Sequence, residues 1–484
     1  MDLKAMKQLL KNTDARRARV TAKYSKSKSY YFNENDITAR NAGESKTNEE
    51  GKDDPLRSAD NRVSNNFHQI LIDQKADYVA SSAPIIDVED DKLNDKIADK
   101  LGDRLGSTLN QLVVDASLAG VAWLHVWHDA DNELKYAVIP PDQVTPIYSD
   151  DADPVLLAVR RTYNQLDPDT GKQYSVHEYW TDKDVTAFKS ERNTYSDLQA
   201  IDNRFTIYDA SSGDDIGTSS VYQHNMGVVP FIPFKNNKFE TPDLDKYKGL
   251  IDVYDKVYNG FVNDVDDVQQ VILVLTNYGG ANLDQFKHDL KNAKAIKLNS
   301  IGPGDKSGVD KLTIDIPVEA RNSLLEQTFE KIFVFGQGVN PTKLEAGNNT
   351  GVAIKMMYSN LELKVSTVQT WFENGLAELV RIIMRDLKVT DADKRSINQT
   401  WTRASIRNDV EQADIVSKLS DVTSRENTAK GNPLVNNWQE ELELQDDDAE
   451  EKAQQPDPFA NPNPLQEDDD DDKKKDDVTG DDDE

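Results

Sequence analysis

The sequence contains no cysteine among its 484 residues. This absence excludes disulfide bonds, thiolate metal ligands and cysteine nucleophiles. Long hydrophobic runs are also absent, since none approaches the roughly 20 apolar residues of a membrane-spanning helix. The N-terminal segment lacks the apolar core of a secretory signal. These absences favour a reducing cytoplasm, or a particle assembled there, and predict no membrane partner.

Positive charge is scarce. The chain has 57 Lys and Arg against 87 Asp and Glu, which gives a net charge of −30. The segment 446–484 holds 18 acids and 4 bases and contributes −14, which leaves −16 for the rest of the chain. This balance argues against adhesive nucleic-acid binding, because such binding needs clustered Lys and Arg. It is compatible with a surface that DNA passes without sticking.

Residues 249–337 are predicted to form two helices separated by a compact insert. Apolar residues recur every three or four positions and predict a first helix over 249–277, roughly 40 Å long at ~1.5 Å per residue. Its other face carries five acids: Asp252, Asp255, Asp264, Asp266 and Asp267. A second helix is predicted from Pro317, whose fixed φ suits a helix start, to Phe335. From periodicity alone, a hairpin within a core and a rod pair that reaches out of a body both remain open.

The flanking regions predict an α+β, helix-rich fold class. Residues 1–60 are predicted to be a basic helix and a mobile loop, and either a docked helix or a DNA- or membrane-binding arm fits the basic part. Residues 61–245 combine helices, one of them over Lys92–Gly120, with a strand hairpin around Asp129–Asn132. One long helix is predicted over 351–388, a short strand and helices over 389–445, and a disordered acidic tail over 446–484.

Candidate catalytic and metal-binding motifs fail on inspection. His125 and His128 lie near acids of a hairpin turn, but Leu134 stands where a calcium-binding loop needs glycine. The segment Gly302–Gly308 lacks the spacing of a phosphate-binding loop. No Ser–His–Asp arrangement can be argued from the pattern. We therefore predict no catalytic residues, no cofactor and no metal site, and a protein that is not an enzyme.

The insert over 279–316 differs in charge from its flanks. Its six lysines face five aspartates, and it is predicted as a helix over 283–290 followed by strands over 295–298 and 311–316. Such a near-neutral module at the end of acidic helices is suited to docking protein partners. The docking residues predicted there are Lys287, Lys291, Lys294 and Lys306. A solvated edge without a partner is the alternative.

An ordered series of motifs spans residues 24–445. It runs from Tyr24, Tyr30 and Tyr31 through NRVSNNFHQILIDQKADYVASSAPI, GVAWLHVWHDADNELKYAVIPPDQVTPIYSDD, HNMGVVPFIPFKNN and DLDKYKGLIDVYDKVYNGFVNDVDDVQ to NTGVAIKMMYSNLELKV, LSDVTSRENTAKGNP and NNWQEELELQ. In order and spacing, the series resembles the portal (head–tail connector) proteins of long-tailed double-stranded DNA phages of Gram-positive hosts. One departure is Ser82, where relatives commonly have glycine; it affects a turn only.

The resemblance implies a ring of about twelve subunits at one capsid vertex, with a channel through which double-stranded DNA is packaged and ejected. The parts it implies are a wing over 61–245, stem helices over 246–278 and 317–337, a clip over 279–316, a tunnel loop over 338–350, a long wing helix over 351–388 and a crown over 389–445. It also implies DNA contacts by the tunnel-loop residues Asn340, Lys343, Asn348 and Asn349. The five stem acids are expected to line the channel or the subunit interface, and which of them face the channel stays open.

The implied partners are further copies of the chain, the terminase large subunit, a head–tail adaptor protein, and the major capsid and scaffold proteins. Duplex DNA would pass without sequence-specific contacts. The implied location is the portal vertex of the virion, assembled in the host cytoplasm. Another phage structural or scaffold-type interaction protein, without a DNA channel, is the alternative class.

Overall fold

The computed structural model describes residues 1–39, 59–129, 131–168, 170–191, 195–208, 215–268, 272–276, 308–312, 316–345, 351–403, 417–418, 422–432, 435 and 437–454. The chain divides into two compact units, 1–406 and 407–484. None of the helices among these residues is long and apolar enough to cross a membrane. Of the mobile loop predicted over 41–60, residues 41–58 lie outside the described ranges.

The fold is α+β. Its helices are α1 Leu3–Tyr31, α2 Phe67–Val79, α3 Asp91–Leu101, α4 Leu105–Ala119, α5 Lys248–Val268, α6 Val318–Gly336, α7 Pro341–Glu345, α8 Gly351–Asp386, α9 Arg425–Gly431 and α10 Trp438–Gln454. Its strands are β1 Ile85–Asp87, β2 Val121–His128, β3 Leu134–Ile139, β4 Val144–Tyr148, β5 Leu156–Leu166, β6 Gln173–Trp180, β7 Asp184–Ser190, β8 Gln199–Ala200, β9 Phe205–Tyr208, β10 Asp215–Ser219, β11 Val221–Gln223, β12 Phe231–Lys235, β13 Ile272–Thr276, β14 Gly308–Leu312 and β15 Asn398–Thr400.

Two antiparallel sheets form the body of the first unit. One has the order β12–β2–β3, and the predicted hairpin is confirmed by the pairing of β2 with β3. The other has the order β11–β7–β6–β5–β4, with β8 added beside β7. The main core lies between the first sheet and helices α2, α3, α4 and α8. Phe234 of β12 meets Phe372 of α8 edge to face with ring centroids 5.1 Å apart, and Gly375 leaves room for the Phe234 ring.

Helix α1 is docked on the body. Its buried Met6 and Leu10 pack against Phe188 and Leu198 of the second sheet and its following turn. Asp2 caps the helix by accepting a hydrogen bond from the Ala5 N–H at 2.7 Å. Buried side chains occur from Met6 to Tyr30 of this 29-residue helix, so the basic segment lies along the body and does not project as an arm.

Several predicted boundaries are wrong. The helix predicted over Lys92–Gly120 is two helices, because Gly102 takes a positive φ of 63° that a continuing helix does not allow. The stem helix predicted over 246–278 ends at Val268, and β13 follows it, paired with β14. The apolar residues Ile272–Leu275 were predicted as helix but form a strand. Four consecutive apolar residues suit a sheet as well as a helix face, and the pairing with β14 decides between the two. The predicted helix over 283–290 and strand over 295–298 lie outside the described residues.

Two further corrections concern the C-terminal part. The crown was predicted to start at 389, but β15 pairs with β1 inside the first unit. The second unit begins at Arg407, and there Ser424 caps α9 by accepting a hydrogen bond from the Asn427 N–H at 3.3 Å. The acidic tail was predicted to be disordered from 446, whereas α10 continues to Gln454.

Candidate functional site

Helices α5 and α6 form an antiparallel pair that leaves the body. Arg321 near the start of α6 reaches the Asp264 carboxylate and, at 3.4 Å, the Gly260 carbonyl near the end of α5. The guanidinium also lies over the Phe261 ring at 5.6 Å. In α6 the residues 318–327 are all exposed or half-buried, and burial begins at Thr328. The distal half of the pair is therefore held mainly by contacts between its own two helices.

An aromatic cluster anchors the inner half of the pair. The Phe67 ring of α2 meets the rings of Tyr254, Phe329 and Phe333 edge to face, with centroids at 4.9, 5.6 and 6.3 Å. Each such contact adds about 0.5–1.5 kcal/mol to the free energy gained from burial. Because Phe67 touches both helices at once, it fixes where the pair leaves the body.

Part of the buried surface of α5, formed by Asp255 and Asn259, is polar, and an extended strap over residues 61–65 covers it. The hydrogen bonds run from Asn65 N and Nδ2 to Asp255 Oδ1 at 3.1 and 2.7 Å, from Val63 N to Asn259 Oδ1 at 2.7 Å, from Asn259 Nδ2 to Val63 O at 2.7 Å, and from Asn61 N to Asn263 Oδ1 at 2.7 Å. The geometry fits because two extended residues rise about 6.6 Å and four helical residues about 6 Å. Helix side chains thus bond every second residue of the strap.

A charged cluster lies at the base of the pair, where α2, α5, α6 and α8 converge. Lys75 Nζ donates to Asp243 Oδ2 at 2.6 Å, and Lys364 Nζ lies 3.1 Å from the same oxygen. Lys364 also donates to the carbonyl of Gly336, the last residue of α6, at 2.8 Å. The exposed fractions are 0% for Lys75, 1% for Asp243 and 5% for Lys364. Lys364 of the long helix α8 thus contacts Asp243, shortly before the start of α5, and Gly336, at the end of α6. The cluster therefore ties the base of the helical pair to α8.

The pKa values in this cluster follow from two buried cations sharing one anion. Burial lowers the pKa of Lys75 to about 7, although Asp243 opposes the change, and burial likewise lowers the pKa of Lys364. Burial would raise the pKa of Asp243, but Lys364 and Lys75 together outweigh it and hold that pKa well below its usual value. Nearby, burial lowers the pKa of His68 to about 3.

The segment after α6 was predicted as a polar loop over 338–350, and this is partly wrong because it contains α7. Asn340 starts that helix, since its Oδ1 accepts from the Thr342 N–H at 3.0 Å and from the Thr342 hydroxyl at 2.8 Å. Lys343 forms an ion pair with Glu330 of α6 at 3.2 Å, and both side chains are exposed. The predicted DNA contacts Asn348 and Asn349 lie outside the described residues.

The predicted stem acids do not share one open face. Asp252 accepts from the Tyr30 hydroxyl and from Lys248 Nζ at 2.7 Å, Asp264 pairs with Arg321, and Asp266 accepts from Asn61 Nδ2 at 2.7 Å. Asp255 is 1% exposed beneath the strap, so the prediction that it lines a channel is wrong. Asp267 lies in α5. The predicted docking lysines Lys287, Lys291, Lys294 and Lys306 lie outside the described residues.

The histidines of the rejected metal motif have other roles. The His125 ring is buried and stacks on Phe231 with centroids 4.3 Å apart, and its Nδ1 lies 2.7 Å from the Pro230 carbonyl. His128 Nε2 lies 2.9 Å from Asp386 at the end of α8. Among the described residues, no group of His, Asp and Glu side chains is placed to hold a metal ion.

Sequence reasoning missed the strap and the charged cluster. The signal for the strap was present in the spacing of Asp255, Asn259 and Asn263, which puts three short polar side chains on one helix face. For the cluster, Lys75 and Asp243 are separated by more than 160 residues in sequence, and no local pattern connects them.

Comparison with known proteins gives consistent matches along the chain. A family model described as phage portal protein, SPP1 Gp6-like, matches residues 10–455. The portal protein of Clostridium phage phiCD119 is 34% identical over 457 residues, which cover 92% of this chain and 95% of that protein. The portal protein of Bacillus phage SPP1 is 28% identical over 424 residues, covering 85% and 81%.

Among solved structures, a chain in the neck of an empty GTA particle computed with C6 symmetry aligns at 12% identity with a TM-score of 0.40. The alignment covers 75% of this chain and 88% of that one. A chain in the neck of the native GTA particle computed with C12 symmetry aligns at 12% identity with a TM-score of 0.38, covering 76% and 90%.

Proposed function

Because the chain belongs to the SPP1 Gp6-like family of phage portal proteins, we propose that it forms a ring-shaped channel at one capsid vertex, through which double-stranded DNA is packaged and ejected. The observation that carries the proposal is the helical pair α5–α6. It is anchored by Phe67 and the Lys75–Asp243–Lys364 cluster, and it leaves the body toward the strand pair β13–β14. Such a pair, repeated around an axis, makes the wall of a tube.

We assign the parts of the subunit accordingly. Helices α5 and α6 are the stem, and the segment between them, which includes β13 and β14, is the clip. Residues 61–245 with α8 form the wing, residues 338–350 the tunnel loop, and the crown follows residue 406. The clip extends further toward α5 than the sequence predicted, because β13 pairs with β14.

The electrostatics support a surface on which DNA slides. Duplex DNA carries one charge per about 1.7 Å of its axis, so an acidic wall repels it and prevents adhesion. Asp264, Asp266 and Asp267, toward the outer end of α5, are the acids proposed for the wall, whereas Asp252 is held at the base by Tyr30 and Lys248. Lys343 and Asn340 are proposed to touch the phosphate backbone, which positions DNA without reading its bases. The exposed Lys343–Glu330 ion pair is weak enough to exchange for a phosphate.

The proposed partners follow from the same assignment. The clip docks the terminase large subunit during packaging and a head–tail adaptor protein afterwards, with Lys287, Lys291, Lys294 and Lys306 as docking residues. The wing and crown contact the major capsid and scaffold proteins. The ring is a component of the virion, assembled in the host cytoplasm, and conducts DNA without catalysing a reaction.

Electron microscopy of the purified full chain, and of assembled particles, tests the proposal. Rings of about twelve subunits with a central hole are expected. A monomer at every concentration, and in particles as well, would overturn the proposal. Rings without a hole would favour a structural or scaffold-type protein that conducts no DNA.

A further inference from the structure

The outward face of α1 is a basic surface on an acidic protein. Its exposed and half-exposed cations are Lys4, Lys7, Lys11, Arg16 and Arg19. Among the residues that the structure describes, none of these five forms an ion pair. The only acid within α1 is Asp14, and it faces inward, where it bonds to Arg160 and Tyr195 at 2.9 and 2.6 Å. Nothing on the helix itself therefore neutralises this face.

The contrast with the rest of α1 is informative. Lys23 and Lys26, closer to the C-terminal end of the helix, pair with Asp245 and Asp36 at 2.8 and 2.5 Å. At that end of the helix, acids of the same chain therefore pair with the helix lysines. From Lys4 to Arg19, over roughly 22 Å of helix, they do not. The exposed side chains between these cations include the small Ala15 and Ala18, which allow close approach of another surface.

A second surface is an apolar groove, which lies where β4 and β5 of the second sheet, β12 of the first sheet and α8 meet. Its volume is about 660 Å³, and Trp371, Phe231, Val155 and Leu157 supply apolar walls. Val155 and Leu157 are 60% and 54% exposed, so their side chains add accessible apolar surface to the groove. Lys235 lines the groove and pairs with Glu240 at 3.0 Å, so the described lining offers no unpaired basic side chain.

The rim of this groove is acidic. Asp182 and Glu378 line it, and Asp150, Asp151 and Asp153 are exposed on the adjoining turn. Within the described part of the chain, these five carboxylates have no cation partner. Long basic side chains can lay their methylene stems along apolar walls and reach such rim acids with their charged ends.

The basic face and the groove lie on different sides of the second sheet. Helix α1 covers the side that carries Phe188 and Arg160. The opposite side carries Val159 and Val185, which pack in one cluster with the groove residue Phe231. The basic face and the groove of one chain therefore point in different directions. A head-to-tail contact uses two different faces of each subunit in this way.

We propose that the basic outer face of α1 of one copy binds the acid-rimmed apolar groove of a second copy, and that this is a contact between neighbouring subunits. The inference rests on the proposed ring. A second copy of the chain is the expected occupant of the groove because its basic α1 face complements the acidic rim. A chain with a net charge of −30 repels its own copies, and this contact offsets that repulsion. The contact is predicted to weaken as salt rises.

Charge reversal with reciprocal rescue tests the contact. The variant Lys4→Glu/Lys7→Glu/Lys11→Glu is expected to raise the concentration for half-assembly at least about tenfold, measured by mass photometry. A matched variant, Lys92→Glu/Lys96→Glu/Lys394→Glu, makes the same charge change on exposed lysines elsewhere and is expected to stay within about twofold of the wild type. Circular dichroism confirms that both variants fold.

The reversed groove supplies the rescue. Asp151→Lys/Asp153→Lys/Glu378→Lys alone is expected to weaken assembly, and an equal mixture with the reversed helix variant is expected to assemble better than either alone. Since the chain lacks cysteine, Lys7→Cys/Asp153→Cys should also give oxidised ladders between copies, whereas Lys7→Cys/Asp95→Cys should not.

The possible failures are distinguishable. If the wild type forms rings but the Lys4→Glu/Lys7→Glu/Lys11→Glu variant also assembles normally, the proposed contact is overturned. The absence of rescue in the mixture would overturn it too. Both results would leave the portal function intact. Normal assembly of the reversed helix with lost binding to a 30-base-pair duplex would assign the basic face to DNA and not to a second copy. A wild type that never forms rings would overturn both proposals.

Discussion

Asn259 bonds to Val63 as a neighbouring β-strand would. Its Oδ1 accepts from the Val63 N–H at 2.7 Å, and its Nδ2 donates to the Val63 carbonyl at 2.7 Å. A side chain on α5 therefore satisfies both backbone groups of one strap residue. This relationship holds the stem helix to the body through polar contacts, while Phe67 does so through apolar ones.

Replacing Asn259 by Leu should release the strap. The substitution leaves two backbone groups of Val63 without partners, at a cost of about 1–3 kcal/mol for each that stays buried. We expect a lower melting temperature and faster hydrogen exchange at residues 61–65. Asn360→Leu, at an exposed position of α8, is the matched control and should change neither. Unchanged hydrogen exchange in the Asn259 variant would show that its hydrogen bonds to Val63 contribute no local stability.

Substitutions within the buried Lys75–Asp243–Lys364 cluster should lower the free energy of unfolding by unequal amounts. Asp243→Asn leaves Lys75 and Lys364 buried without an anion, which should cost about 3–5 kcal/mol. Lys75→Met should cost less, because Asp243 keeps Lys364 at 3.1 Å and Lys246 at 3.7 Å. Urea unfolding of the two variants under identical conditions compares the costs. A larger loss for Lys75→Met would mean that packing of the lysine stem outweighs the charge balance.

His68 should make the protein acid-sensitive. Its ring is buried between the Ser27 hydroxyl at 2.9 Å and the Tyr247 hydroxyl at 2.8 Å, and burial lowers its pKa to about 3 from 6.5. The unfolded chain therefore binds more protons between these values, so stability is full above pH 6.5 and falls as pH drops toward 3. The slope from this group is at most about 1.4 kcal/mol per pH unit.

The variant His68→Asn removes that proton uptake. Melting temperatures measured from pH 7.5 to pH 4.5 should fall less steeply for the variant than for the wild type. The decline should not vanish, because burial also lowers the pKa of His125 and of His177 to about 4. Parallel curves for variant and wild type would exclude His68 as a source of the acid sensitivity.

Local periodicity predicted much of this architecture. The hairpin of β2 and β3, the helix beginning after Pro317 and the long helix α8 follow from patterns within about 40 residues. The placement of Asp255 did not follow, because an acid on a helix face has the same spacing whether water or a strap covers it. The burial of Lys75 with Asp243 also depends on tertiary contacts that no local pattern encodes.

The proposed clip lysines can be tested without disturbing the stem. Replacing Lys287, Lys291, Lys294 and Lys306 by Gln should impair packaging and leave rings intact, because the change removes charges used for docking a partner. A nuclease-protection assay measures packaged DNA, and electron microscopy checks the rings. Lys92→Gln/Lys96→Gln/Lys394→Gln is the control outside the clip. Normal protection by the fourfold clip variant would reject docking through these residues.

Lys343 is the described cation proposed to contact DNA within the channel. Its side chain is 59% exposed beside Glu330, so exchange of the carboxylate for a phosphate costs little burial. Lys343→Ala should reduce the retention of packaged DNA or change its translocation, since a positive charge is lost at each subunit of the ring. Lys343→Arg keeps the charge and should stay close to the wild type, and Glu330→Gln removes only the competing acid and should not reduce retention. Equal retention by the Ala and Arg variants would remove Lys343 from the DNA contacts.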